Sequence, residues 1–142
     1  MTETSAGSRS IVIEREFAHP PEKVWRALTQ RSLIEQWLLE NDFEAAVGHK
    51  FTLRTAPKPG WNGVIDCEVM VVEPTTRLVY SWKPFEGLTT VVSWTLTPTM
   101  NGTRVRMEQS GFRPDQNGAF KGASYGWQKF FGGLEGVVAG LE

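Results

Sequence analysis

Alternating apolar and polar positions near the start of the chain predict a first β-strand over residues 11–17. Ile11, Ile13 and Phe17 would share one side of this strand, while acidic residues occupy the other side. A period of two is typical of a strand with one buried face, because successive side chains point to opposite faces of a sheet. The pattern therefore predicts a sheet with its core on one side.

Two short helices are predicted directly after this strand. Residues 20–22, Pro-Pro-Glu, indicate the start of the first, because proline is tolerated in the first helical turn and an acidic residue there complements the helix dipole. Ser32 and Glu35 have capping-box spacing and predict the start of the second, with Thr29 as another candidate cap. The apolar faces of the two helices would contain Val24, Trp25, Leu28, Leu33, Ile34, Trp37 and Leu38.

A meander of four antiparallel strands is predicted in the middle of the chain. Each of them alternates apolar and polar residues, and turn-forming proline, glycine and asparagine residues separate them. A weaker alternation predicts one or two further short strands between residues 42 and 55. The four longer strands are predicted over residues 61–73, 77–82, 89–97 and 103–111.

One face of these strands is predicted to point into the core. The other face would carry polar residues, among them Arg104, Arg106 and Glu108. The inward face would be formed by Phe51, Leu53, Trp61, Gly63, Ile65, Cys67, Val69, Val71, Leu78, Tyr80, Trp82, Val92, Trp94, Leu96, Val105 and Met107.

Residues 118–141 fit one long closing helix. At about 100° per residue, a sector about 120° wide collects its large apolar side chains and predicts a buried face. Six glycines fall in a neighbouring sector, although each internal glycine destabilises a helix by roughly 1 kcal/mol. Close packing against another backbone is the favoured explanation, and room for a bound molecule is the other. The apolar sector contains Phe120, Trp127, Phe130, Phe131, Leu134, Val137, Val138 and Leu141, and the glycine sector contains Gly118, Gly122, Gly126, Gly133, Gly136 and Gly140.

The order of elements predicts an α+β fold. A curved antiparallel sheet of about six or seven strands would wrap around the long C-terminal helix, with the two short helices after strand one. We expect a disordered N-terminal tail over residues 1–10 and a single domain over residues 11–142.

Composition and charge exclude several classes of function. The chain has 142 residues, of which 40% are hydrophobic, and a net charge of −1, so it lacks the basic excess of nucleic-acid-binding proteins. Its single cysteine, Cys67, excludes an internal disulfide and a Cys-rich zinc site. His19 and His49 have no carboxylate or cysteine at ligand spacing and are predicted to be exposed turn residues. We therefore expect neither a metal nor a cofactor.

The location of the protein is predicted from the same features. No run approaches the ~20 apolar residues of a membrane span, and the first residues lack the apolar core of a signal peptide. A single unpaired cysteine suits a reducing compartment. We expect a soluble cytoplasmic protein.

The chain resembles the Hsp90-ATPase-activator-homologue family. Residues 18–29, Ala-His-Pro-Pro-Glu-Lys-Val-Trp-Arg-Ala-Leu-Thr, are similar to the opening of that family. The family belongs to the START-like (SRPBCC) superfamily, together with Bet v 1-type proteins and polyketide cyclases. The resemblance implies the helix-grip fold, with a cavity for apolar ligands between the curved sheet and the long helix. Further residues that carry the resemblance are Leu33 and Trp37, and, in the closing helix, Gly126, Trp127, Phe131 and Leu134.

We expect this protein to bind a small hydrophobic ligand, aromatic or lipid-like, rather than to catalyse a reaction. An ordinary aromatic core is the competing interpretation of the same residues. A cyclase-like or hydratase-like enzyme is the first alternative, and it would use Tyr80 or, with the strand register shifted by one, Glu108. A module that binds an Hsp90-type chaperone is the second, and both a monomer and a homodimer remain open. The ligand is predicted to contact Trp37, Phe51, Leu53, Ile65, Cys67, Tyr80, Trp82, Trp94, Met107, Trp127 and Phe131, with Gln109 as a further polar group.

Overall fold

The computed structural model describes residues 9–141 and has an α+β architecture. The predicted tail falls largely outside the described residues, although Arg9 and Ser10 already belong to the first strand. None of the helices within residues 9–141 is long and apolar enough to cross a membrane. The elements are β1 (Arg9–Phe17), α1 (Pro21–Thr29), α2 (Arg31–Trp37), β2 (Glu40–Asn41), β3 (Lys50–Arg54), β4 (Val64–Glu73), β5 (Arg77–Phe85), β6 (Leu88–Pro98), β7 (Thr103–Phe112), a 3-10 turn (Pro114–Gln116) and α3 (Asn117–Ala139).

The strands form one antiparallel sheet in the order β1-β7-β6-β5-β4-β3-β2. The predicted meander is confirmed, because β4, β5, β6 and β7 are neighbours in chain order. β1 pairs with β7, so that Ile13 lies opposite Met107. This order places the short strands β2 and β3 at the edge far from β1.

The alternation in the sequence is confirmed along most of the sheet. Trp94 of β6 lies opposite Met107 of β7, and both side chains have no solvent exposure. On β4 the prediction is wrong beyond Val69, where the pairing register shifts before Val71. A bulge of this kind adds one residue to a strand, so side chains beyond it point to the opposite face from the one that strict alternation predicts. Val72 therefore packs against the core in place of Val71.

The two short helices follow β1 as predicted, but the capping box is wrong. Helix α2 begins at Arg31, after Gln30 in an extended conformation, and no side chain caps it. Ser32 therefore lies inside the first turn. The buried faces are confirmed, and the indole Nε1 of Trp37 donates a hydrogen bond of 2.8 Å to the Ala27 carbonyl oxygen. This bond joins the two helices.

The long closing helix is confirmed as α3, which follows the 3-10 turn. The side chains of Trp127, Phe131, Leu134 and Val138 are buried against the sheet and the short helices. Phe120, Phe130 and Val137 are half-buried at the border of this face. The sheet and α3 thus enclose one core, as in the helix-grip fold.

The glycines of α3 have a different role from the favoured explanation. Only Gly133 packs closely on another element, since a Cβ built there would lie 3.4 Å from the Trp37 Cβ. At Gly118, Gly122 and Gly136 a Cβ would meet no heavy atom of the described chain within 4 Å, apart from the immediate helix backbone. The close-packing interpretation is therefore correct at Gly133 and wrong at these three positions. These open glycines lower the intrinsic stability of α3 without a packing benefit.

Candidate functional site

The residues predicted to contact a ligand come together in one buried cluster. The sheet contributes most of them, α2 contributes Trp37, and α3 contributes Trp127 and Phe131. Each has at most 8% of its surface exposed. The cluster contains Trp37, Phe51, Leu53, Ile65, Cys67, Tyr80, Trp82, Trp94, Met107, Trp127 and Phe131.

Aromatic rings occupy the centre of this cluster. The ring of Trp94 stacks on Phe131 at a centroid distance of 5.5 Å and meets Trp127 edge-on at 5.8 Å and Trp37 edge-on at 5.7 Å. Trp82 lies 5.4 Å from Trp127. These are favourable ring geometries, each adding roughly 0.5–1.5 kcal/mol beyond area burial.

The centre of this cluster, where the family resemblance implies a cavity, is filled by side chains. Trp94, Met107 and Phe131 have 0% exposure, so no space as large as a water molecule adjoins them. A guest can enter this interior only if rings of α3 or of the sheet move aside.

A chain of polar groups crosses the interior beneath α3. The Trp127 Nε1 donates to the Gln109 Oε1 at 2.7 Å, and the Gln109 Nε2 donates to the Thr90 Oγ1 at 2.8 Å. The Thr90 hydroxyl in turn donates to the Trp82 carbonyl oxygen at 2.9 Å. Gln109 and Thr90 are each 1% exposed. The sequence pattern indicates Gln109 as an interior polar group, whereas Thr90 was not predicted, although it occupies an inward position of the β6 alternation.

A second polar pair lies nearer β3. The Trp94 Nε1 donates to the Tyr80 hydroxyl oxygen at 3.0 Å, and the rings of Phe51 and Phe43 flank Tyr80 at 5.4 and 6.3 Å. Burial raises the pKa of Tyr80 above its usual range, although the Trp94 bond acts in the opposite direction. The phenol therefore keeps its proton near neutral pH, and no acceptor for that proton is found among residues 9–141. Phe43 is also buried, with 2% of its surface exposed. It was not predicted as a core residue, because the segment around it shows no regular alternation of apolar and polar residues.

One of the two groups named for the enzyme alternative, Glu108, lies outside the interior. It lies opposite Val12 in the β1–β7 register and forms an ion pair of 3.1 Å with Arg106 on the outer face, where the alternation predicted it, so the shifted register that the enzyme alternative needs for Glu108 is not found. Burial, with a contribution from the Asp66 carboxylate, raises the pKa of Cys67 above its usual range. Its thiol stays protonated and is a poor nucleophile.

The two histidines are half-buried rather than exposed as predicted. The His49 Nε2 donates to the Asp42 carbonyl oxygen at 2.9 Å, and its ring stacks on Phe51 at 6.4 Å. Within the described part of the chain, no three His, Cys, Asp or Glu side chains are grouped so that they could hold a metal ion.

Two open hollows lie at the surface beside β4; the larger is called the outer hollow, and the smaller also borders Phe51 and Cys67 of the buried cluster. The larger, about 450 Å³, is bounded by Trp61, Asp66 and Phe85 together with their neighbours. The smaller, about 270 Å³, shares Asp66 and also borders Asp42, whose pKa is held below its usual range chiefly by the backbone N–H of Thr52. The sequence did not indicate either hollow, and the strand predicted over residues 61–73 begins only at Val64 in the structure.

Comparisons with known proteins agree with this architecture. The model of the family described as "Activator of Hsp90 ATPase homolog 1-like protein" matches residues 18–139. No curated protein matches the chain.

Several solved structures have the same fold as this chain. Protein MLL2253 from Mesorhizobium loti is 51% identical over 94% of this chain and 99% of its own, with a TM-score of 0.86. DynU16, a protein in the dynemicin biosynthetic locus, is 25% identical over 92% of this chain and 47% of its own, with a TM-score of 0.78. CalU16 from Micromonospora echinospora is 22% identical over 94% of this chain and 78% of its own, with a TM-score of 0.77, which shows the shared fold.

Proposed function

The chain belongs to the Activator of Hsp90 ATPase homolog 1-like family, and from this premise we propose that it binds a small, mostly apolar molecule between the curved sheet and α3. The family fold supports a ligand-binding interior in general terms. Similarity to a protein of a biosynthetic locus also supports a small-molecule ligand.

The unpaired proton of the Tyr80 hydroxyl carries this proposal. Tyr80 is 4% exposed, and aromatic rings surround it. The Tyr80 oxygen accepts the Trp94 N–H, but no hydrogen bond within residues 9–141 uses the hydroxyl as a donor, so its donor capacity is free for a further partner. A carbonyl or ether oxygen of a guest would satisfy this donor, in the way that a few polar groups orient ligands in apolar pockets.

The proposed guest would take the place of rings that α3 supplies. Trp127 and Phe131 lie between the α3 backbone and the sheet, so a shift of these two side chains would open the centre of the cluster. The open glycines of α3 favour such a shift, because they weaken the helix that holds the rings. The eleven residues of the buried cluster described above would then line the site, with Gln109 as a second polar group.

The expected affinity is modest. A ligand of about 20 heavy atoms at roughly 0.3 kcal/mol each would bind with about 6 kcal/mol, in the tens of micromolar. The cost of moving rings lowers this figure further.

Binding is favoured over catalysis. Glu108 lies outside the interior, and the raised pKa of Tyr80 makes the phenol a hydrogen-bond donor rather than a base near neutral pH. For the Hsp90-type partner, the family name is the only support, and that partner stays a prediction.

Tryptophan fluorescence provides the test. A Trp61→Phe variant removes the tryptophan of the outer hollow, so its emission reports mainly on the interior rings. We expect at least one compound of a panel of flavonoids, fatty acids and sterols to quench or shift this emission below about 100 μM. N-acetyltryptophanamide corrects for absorption by the compounds. An unchanged emission with every member of the panel would contradict the proposal.

A further inference from the structure

Two arginines of the edge strand β1 cover aromatic rings of α3. The Arg15 guanidinium lies 5.4 Å from the centre of the Phe131 ring, and the Arg9 guanidinium lies 4.5 Å from the centre of the Phe120 ring. Both arginines occupy odd positions of β1, as do the buried residues Ile11 and Ile13. Their side chains therefore extend from the inner face of the sheet across the seam between β1 and α3.

Arg15 has no ion-pair partner within the described residues. Its Nη2 donates to the side-chain Oε1 of Gln128 at 3.0 Å, and no carboxylate oxygen of residues 9–141 lies within 4.0 Å of its guanidinium. A guanidinium offers five donors in a planar fork that matches a carboxylate. One neutral amide oxygen leaves most of this capacity unused.

Arg15 also marks the outer end of a column of rings that reaches the core. Its guanidinium lies on Phe131, Phe131 stacks on Trp94, and Trp94 meets Trp127. A guest whose apolar body replaced Phe131 in this column would bring one of its ends to the guanidinium. The position therefore combines an apolar site with a cation at its border that has no ion-pair partner within the described residues.

We propose that the ligand is an organic acid, with an apolar body in the buried cluster and a carboxylate bound by Arg15. This inference rests on the proposed function and adds the chemical class of the ligand. In the complex, the carboxylate takes the place of the Gln128 amide oxygen and forms paired charge-assisted hydrogen bonds with the guanidinium. Arg9, which donates to the Asn117 Oδ1 at 2.6 Å, holds the other end of the seam.

The test compares 2-naphthoate with 2-naphthamide, which have the same apolar body and differ in charge. Binding is measured at pH 7 from shifts of the tryptophan indole N–H signals in NMR titrations. We expect the acid to bind about 5–20-fold more tightly than the amide, as for a charge-assisted hydrogen bond at a partly exposed site. Added salt lowers this ratio.

Arg15→Gln removes the charge and should abolish the preference, whereas Arg15→Lys should retain part of it. Arg104→Gln is the matched control, since Arg104 is an exposed arginine on the outer face of β7. The Arg104→Gln variant should prefer the acid over the amide by the same factor as the unsubstituted protein. Thermal unfolding shows that each variant is folded.

The outcomes separate this inference from the proposed function. Equal affinity for acid and amide, or a preference that survives in Arg15→Gln, would overturn the inference and leave the proposed function standing. Failure of both compounds to shift any indole signal at millimolar concentration would contradict both.

Discussion

Gly133 of α3 lies directly against Trp37 of α2. A Cβ at Gly133 would come within 3.4 Å of the Trp37 Cβ and within 3.5 Å of its Cα and carbonyl oxygen. A methyl group at this position would lie at the tight end of ordinary van der Waals contact with Trp37. The same helix has glycines at open positions, where no such contact explains them.

Replacement of the open glycines should stabilise the protein. Gly122→Ala and Gly136→Ala remove the helix penalty of glycine without a clash, so each should raise the free energy of unfolding by about 0.5–1 kcal/mol. Urea denaturation followed by far-UV circular dichroism measures this change. Gly133→Ala is the matched control and should gain less, because the new methyl group must fit against Trp37 backbone atoms. An equal gain at all three positions would show that the Trp37 contact imposes no constraint.

The hydrogen bond between Trp94 and Tyr80 can be measured by a double-mutant cycle. Tyr80→Phe leaves the buried indole N–H of Trp94 without its acceptor and should lower the free energy of unfolding by about 1–3 kcal/mol. Adding Trp94→Phe to this variant removes the orphaned donor, so the two losses should not add. Strict additivity in urea denaturation would mean that the bond contributes nothing to stability.

Stability should decrease at alkaline pH. Burial raises the pKa of both Cys67 and Tyr80 in the folded protein, so the unfolded chain releases these protons first. The folded state then binds more protons than the unfolded state, and its stability falls as pH rises above the ordinary pKa values of about 8.5 and 10. Below about pH 8, the ionisation of these two groups should not change stability.

Urea denaturation between pH 7 and 11 measures this dependence. Cys67→Ala should remove the part of the loss that begins near pH 8.5, and Tyr80→Phe the part that begins near pH 10. If both variants lose as much stability as the unsubstituted protein over this range, the two groups are not responsible.

Most of the fold could be predicted from the sequence, because an element that is buried on one face shows a regular repeat of apolar residues. Residues such as Trp94 and Met107 alternate with polar neighbours, and the apolar sector of α3 matches its buried face. The prediction failed where structure departs from a strict period. The bulge after Val69 exchanges the faces of β4, and Phe43 lies in a segment between two short strands.

The site was harder to predict because its residues are also core residues. Composition and period place Trp127 and Phe131 in the interior but do not show whether space remains beside them. The hydrogen bonds of Gln109 and Tyr80 depend on side-chain geometry across different elements, which no local pattern records. The cation–π contact between Arg15 and the Phe131 ring likewise depends on how β1 packs against α3.

The most direct test of ligand binding beneath α3 follows the six tryptophan indole N–H signals by NMR during titration with a flavonoid from the panel, each signal assigned by a Trp→Phe variant. Binding in the interior should shift the signals of Trp94 and Trp127, whose N–H groups bond to Tyr80 and Gln109. The signals of Trp25 and Trp61 should stay unchanged. A shift confined to Trp61 would place the ligand in the outer hollow and contradict the account.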